Sequence, residues 1–110
     1  MPSRSFQERL QDILTEIEDI QQMVAELSFA EFSQDRRTIK ASLYSLAVIG
    51  EAAASLLPEV VERYPQIPWR QMRGMRSITV HEYFQVDLTI IWETIQSDLP
   101  ALYSSLKELM

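Results

Sequence analysis

One segment concentrates side chains able to act on a phosphodiester: Arg76-Ser77-Ile78-Thr79-Val80-His81-Glu82-Tyr83. It holds the only histidine of the chain, and Arg70, Arg73 and Arg76 lead into it at spacings of three, which places them along one helical face. Arginine offers a planar fork of donors that fits a phosphate and keeps its charge at any ordinary pH. Histidine titrates near neutrality and can serve as base or acid. Together they suit RNA cleavage through attack of a ribose 2′-hydroxyl on the adjacent phosphate. One group takes the hydroxyl proton, a second protonates the leaving 5′-oxygen, and arginine stabilises the charge that develops. That chemistry needs no metal or other cofactor.

The elements that must position these residues restrict how they can meet. On a continuous helix Arg76 and His81 stand about 140° apart, whereas Arg76 and Tyr83 nearly share a face. A joint site therefore requires a helix end near Val80–His81 or a second copy of the segment, and a two-fold dimer would gather two arginines and two histidines around one cleft. The same residues admit plainer roles. His81 suits a helix-end cap, the arginines a solvated face or partners for acids of the first helix, and Tyr83-Phe84 packing aromatics. Glu51 is a candidate for burial beside an arginine, as a structural pair or as a group that orients Arg76, or it faces water.

The apolar periodicity is helical nearly throughout. Phe6, Leu10, Ile13, Ile17, Ile20, Val24 and Leu27 predict a long amphipathic helix over about residues 5 to 30, interrupted at Phe32–Asp35, where Ser33 or Asp35 can cap the next. Ile39, Leu43, Leu46, Ala47, Gly50, Ala53, Ala54 and Leu57 mark a second helix, rich in small residues that let a neighbour approach closely. Pro58 opens a short third helix and Pro65 stops it. Pro68 opens a fourth through Trp69, Met72, Met75 and Ile78 or Thr79. Asp87 reads as an N-cap, with Val86 and Ile91 at the spacing of a hydrophobic staple. A last helix runs through Leu88, Ile91, Trp92, Ile95, Leu99, Leu102, Leu106 and Leu109, kinked at Pro100. The expected fold is all-α, a single domain over residues 1–110 with three long helices and one or two shorter ones, and a homodimer covers what so short a chain leaves exposed.

Composition removes many functions. The chain has 110 residues, 46% of them hydrophobic, no cysteine and two glycines. Disulfides, thiolate zinc sites, cysteine nucleophiles and Gly-rich phosphate loops are excluded, and a single histidine excludes a multi-histidine metal site within one chain. The longest apolar runs, around Ser45–Gly50 and Ala52–Leu57, are split by Glu51 and too short to span a bilayer. No signal segment is visible, so a cytoplasmic protein is expected. The net charge is −6, a poor starting point for nucleic-acid binding. Its distribution changes that reading. Residues 1–31 hold seven acids (Glu8, Asp12, Glu16, Glu18, Asp19, Glu26, Glu31) against Arg4 and Arg9, while residues 63–81 hold Arg63, Arg70, Arg73 and Arg76 and no acid.

Arg76-x4-His81-x-Tyr83 resembles the Arg-x4-His-x-Tyr motif of the HepT toxins, within the HEPN superfamily of helical ribonucleases. The similarity extends to Ile49-Gly50-Glu51-Ala52, Ile67-Pro68-Trp69, Arg73-Gly74-Met75-Arg76 and Val86-Asp87, so it covers nearly the whole chain. The resemblance implies a HEPN fold and a homodimeric, metal-independent endoribonuclease toxin that cuts mRNA or tRNA. Arg76 and His81 would be its catalytic pair; Arg70, Arg73, Ser77 and Glu51 are, from their own chemistry and position, candidates for supporting or substrate-binding roles. It also implies an MntA-like nucleotidyltransferase antitoxin that transfers AMP from ATP to Tyr83, with ATP a substrate of that partner and no cofactor of this chain. An added phosphate and adenosine beside the arginines would block RNA by charge and bulk. The family commonly has Asn directly after the motif arginine; Ser77 stands there instead, with a shorter reach. A competing expectation is a non-catalytic HEPN subunit that binds a nucleotide or a nucleotidyltransferase, with Arg73 and Arg76 on the phosphate. A plainer one is a dimeric helical scaffold.

Overall fold

The computed structural model describes residues 4–77 and 85–110. Every regular element among them is helical. In chain order these are α1 (Phe6–Val24), α2 (Phe29–Gln34), α3 (Arg36–Leu56), α4 (Glu59–Arg63), α5 (Trp69–Gly74), a 3-10 turn (Met75–Ser77), α6 (Leu88–Glu93), a π-helical stretch (Thr94–Asp98) and α7 (Leu99–Lys107). The last three run on without a break, so three long helices form the bundle and the short ones bridge them.

Helix α1 starts at a capping box, in which the Ser5 hydroxyl accepts from the Glu8 amide and Glu8 accepts from the Ser5 amide. Its inward stripe of Leu10, Ile13, Leu14, Ile17, Ile20 and Val24 is buried, and it packs along α3 and against α7. The helix stops earlier than its periodicity predicts. Leu27 keeps the spacing, but a second capping box, Ser28 with Glu31, starts a separate α2. That turn drops Phe32 into the core, fully buried, with its ring 5.0 Å from Trp92. Asp35 then caps α3, accepting from the amide and hydroxyl of Thr38.

Helix α3 is the central element, with α1 on one side and α5 with its 3-10 turn on another. Its 21 residues are long and apolar enough by composition to cross a membrane, which corrects the expectation from its interrupted apolar runs. Here its apolar face, including Ile39, Leu43, Leu46, Ile49 and Ala53, belongs to the bundle core.

Pro58 flanks α4 and the helix ends at Tyr64, before Pro65, as expected. The fourth predicted helix is shorter than its spacing suggests. It tightens into the 3-10 turn after Gly74, and its expected extension to Ile78 or Thr79 lies outside the described residues. Asp87 caps α6, accepting from the Thr89 amide. In the C-terminal helix the irregularity precedes Pro100. The π turn takes up the register, and Pro100 follows it in the first turn of α7, where the altered turn accommodates its ring and missing N–H.

Candidate functional site

The approach of the motif segment to α3 is set by Gly50. A Cβ built there would lie 2.9 Å from the Arg76 Cβ and 3.0 Å from its Cα, and closer still to its amide nitrogen. Any side chain at Gly50 would therefore push the 3-10 turn off the helix. Gly50 is itself buried and has no positive φ, so this glycine serves proximity and not an unusual backbone angle. The sequence marked it as one of several small residues on α3 and as part of the Ile49-Gly50-Glu51-Ala52 resemblance, without naming what it approaches.

On the next residue of α3, Glu51 faces the Arg76 guanidinium, with Oε2 3.8 Å from Nη1. The Arg76 side chain is 49% exposed and that of Glu51 72% exposed. An exposed pair this loose contributes little stability. It holds the fork near α3 while leaving its donors able to exchange the carboxylate for a phosphate. Thus Gly50 sets where the Arg76 backbone sits, and Glu51 biases where its charge points.

The segment that carries Arg76 is anchored from behind by Trp69. Its ring is buried, and its indole N–H donates to the Tyr64 carbonyl at 3.0 Å. Met72, one turn on, is also buried. This inward pair leaves Arg70 exposed and Arg73 half-buried. Of the two plainer readings of these arginines, a solvated face or pairing with acids of α1, the described residues show no such pairing. Arg76 pairs with Glu51 of α3, while Asp12 of α1 is held by Arg4 through a forked contact at 2.7 and 2.8 Å. Ser77 is exposed, and its hydroxyl donates to the Gly74 carbonyl at 2.7 Å, closing the 3-10 turn. It therefore serves the turn with its proton and keeps only an acceptor for a ligand.

The structure brings Arg76, Glu51 and Ser77 to one place, with Arg70 and Arg73 on the same short helix. His81 and Tyr83 lie outside the described residues. Among the described residues no group of three or more His, Cys, Asp or Glu is arranged to hold a metal.

Fold and site together define an all-helical bundle that seats an arginine against a glycine of its central helix. Comparison with known proteins places it further. The family described as Ribonuclease HepT-like matches residues 13–109. The "Probable ribonuclease HepT" of Thermococcus cleftensis is 36% identical over 106 residues, covering 96% of each chain. A protein of Caldanaerobacter subterraneus subsp. tengcongensis, provisionally named an RNase, is 40% identical over 101 residues, covering 92% of this chain and 90% of that one. One from Methanocaldococcus jannaschii, named in the same way, is 34% identical over 110 residues, covering this chain fully and 91% of its own. No solved structure matches significantly. The chain belongs to the ribonuclease HepT-like family of the HEPN superfamily.

Proposed function

We propose that this chain is a metal-independent endoribonuclease and the toxin of a HEPN/MNT toxin–antitoxin pair. The observation that carries the reading is the seat of Arg76: a motif arginine pressed against Gly50, with a half-exposed fork beside Glu51, in a chain matched by the family over residues 13–109. Cleavage takes place in a cleft between two copies of the chain. The ribose 2′-oxygen attacks the adjacent phosphorus, and the bond from phosphorus to the 5′-oxygen breaks. The products are a 2′,3′-cyclic phosphate and a free 5′-hydroxyl. His81 moves protons in this reaction. Arg76 holds the phosphate and stabilises its added charge, with Arg70 and Arg73 on neighbouring phosphates. The substrate is mRNA or tRNA, and the cytoplasm is the site of action.

Control comes from an MntA-like nucleotidyltransferase. The Tyr83 phenol oxygen attacks the α-phosphorus of ATP, the bond to pyrophosphate breaks, and pyrophosphate leaves while the phenol proton passes to a base. The resulting AMP-tyrosine lies seven residues from Arg76 in sequence and repels RNA.

One observation favours a second reading. The Ser77 hydroxyl is committed to the Gly74 carbonyl, at the position where the resemblance leads one to expect an Asn. A non-catalytic subunit would use Arg73 and Arg76 to hold a nucleotide phosphate. Expression of the chain beside His81→Ala, following growth and the integrity of mRNA and tRNA, separates the two. The ribonuclease reading expects arrest and RNA fragments from the parent chain only. Intact RNA from an unmodified, folded parent chain overturns it.

A further inference from the structure

The segment bearing Arg76 has a second side. A cleft of about 600 Å³ opens there, between α5 with its 3-10 turn and the C-terminal helix, within the roughly 300–1,000 Å³ typical of small-molecule sites. Gly74 and Met75 line it, and the next residue is Arg76. Its floor is apolar, with Met72 and Leu102 buried. Its rim is polar, with Gln71 from α5 and Ser97 and Asp98 from the π-helical stretch, a backbone form that recurs at functional sites. Asp98 flanks the start of α7 yet makes no capping hydrogen bond, and it has no ion-pair or hydrogen-bond partner among the described residues. It is the only charged group on the described lining. A Cβ at Gly74 would meet nothing within 4 Å, so bare backbone faces the opening.

These features suit a base and not a phosphate. No cation lines the cleft among the described residues, and the arginine fork lies beside α3 instead. Thioether and aliphatic groups on the floor accept a flat ring, while the rim offers hydrogen bonds at its edge, the way single-stranded RNA is commonly read. We propose that this cleft holds a nucleobase of the bound RNA, a nucleotide or two from the phosphate at Arg76, and that Asp98 selects guanine. The proposal rests on the ribonuclease reading above. An ionised carboxylate only accepts hydrogen bonds. Guanine alone among the four bases sets two donors side by side, N1–H and the N2 amino group, to match both carboxylate oxygens. Adenine and cytosine set one amino donor beside an acceptor nitrogen. Uracil sets one imino donor between two carbonyls. In each of these an acceptor faces the second oxygen and repels it. Gln71 and the Ser97 hydroxyl supply donors for the guanine O6.

The test uses nucleosides, which carry no phosphate for the arginines. The isotope-labelled full chain is titrated by NMR with guanosine, adenosine, cytidine and uridine. The proposal expects guanosine to bind at least about fivefold more tightly than the others and to shift the amides of Gly74, Ser97 and Ala101. It expects Asp98→Asn to erase that preference. On RNA of mixed sequence, Asp98→Asn should also change the ratio of cuts at a fixed distance from guanine to cuts at that distance from uracil by at least about fivefold. Ala101→Trp, which fills the cleft, should abolish nucleoside binding. The proposal is overturned if no nucleoside shifts the cleft amides, or if guanosine preference survives Asp98→Asn. It is also overturned if Ala101→Trp changes the oligomeric state and leaves base preference intact, which would assign this face to a second copy of the chain. Absence of RNA cleavage by the parent chain sinks the ribonuclease reading, while the nucleoside titration still decides the cleft.

Discussion

At Gly50 a hydrogen stands where any other residue would place a carbon 3.0 Å or less from three Arg76 atoms. On the proposed role of Arg76, the position couples packing to chemistry. Gly50→Ala forces the 3-10 turn away from α3, an overpacking that costs about 1–3 kcal/mol. Displacing a catalytic group by about 1 Å costs on the order of a hundredfold in rate. Gly50→Ala should thus keep its helical circular dichroism, lose some thermal stability and cut RNA roughly ten- to a hundredfold more slowly, with RNA affinity much less affected. Unchanged cleavage kinetics would remove Gly50 from the account. The sequence singled out Gly50 as small, since small residues on α3 signal close approach. It did not say which residue approaches, because that depends on the path from Pro58 to Trp69. Arg76, Arg73 and Arg70 were legible from their spacing. The Glu51 contact was one of two open readings until α3 and the 3-10 turn were set side by side. Asp98 went unnoticed, since an aspartate in a run of helical periodicity reads as a solvated position, and only the π turn and the adjoining cleft distinguish it.

The helices themselves show where local signals suffice and where tertiary packing decides. Asp35 as the cap of α3, Asp87 as the cap of α6 and the prolines around α4 were readable because each acts on the backbone next to it. The end of α1 was not, because Leu27 continues the apolar period while the Ser28–Glu31 capping box turns the chain so that Phe32 can be buried. The π turn was missed for a related reason: Pro100 announces an irregularity but does not say on which side it is absorbed. The caps also predict acid behaviour. The Thr38 amide and hydroxyl hold the Asp35 carboxyl below its ordinary range, the amide having the larger effect. A depressed folded-state value means that the cap stabilises above the unfolded-state value and is lost as pH falls through the folded one. Asp35→Ala should lower Tm near neutral pH, on the order of a few degrees, and the difference from the parent should shrink as pH falls through that range. A constant difference down to the lowest measurable pH would contradict this.

For the whole molecule, the tension lies between a net charge of −6 and a polyanionic substrate. The acids of α1 include Asp12, held by Arg4, and Glu18, which accepts from the Tyr103 hydroxyl at 3.3 Å and so links α1 to α7. The arginines sit instead on α5 and the turn that follows. Binding through Arg70, Arg73 and Arg76 alone gives a plot of log affinity against log salt with a slope of about −2 per chain on single-stranded RNA. Fluorescence anisotropy with the His81→Ala form, expected on the proposed mechanism to bind without cutting, should show that slope, and Arg70→Ala should make it shallower by about 0.7. A slope near zero would mean that RNA is not held by this face.

The most direct test of the central claim is the chemistry of the cut ends. The purified, unmodified chain is incubated with single-stranded RNA in EDTA beside Arg76→Ala and His81→Ala, and the product termini are identified. The parent chain should give 2′,3′-cyclic phosphate and 5′-hydroxyl ends, and either variant at least about a hundredfold less product. Cleavage that either variant retains in full, or intact RNA with the parent chain, would contradict the claim.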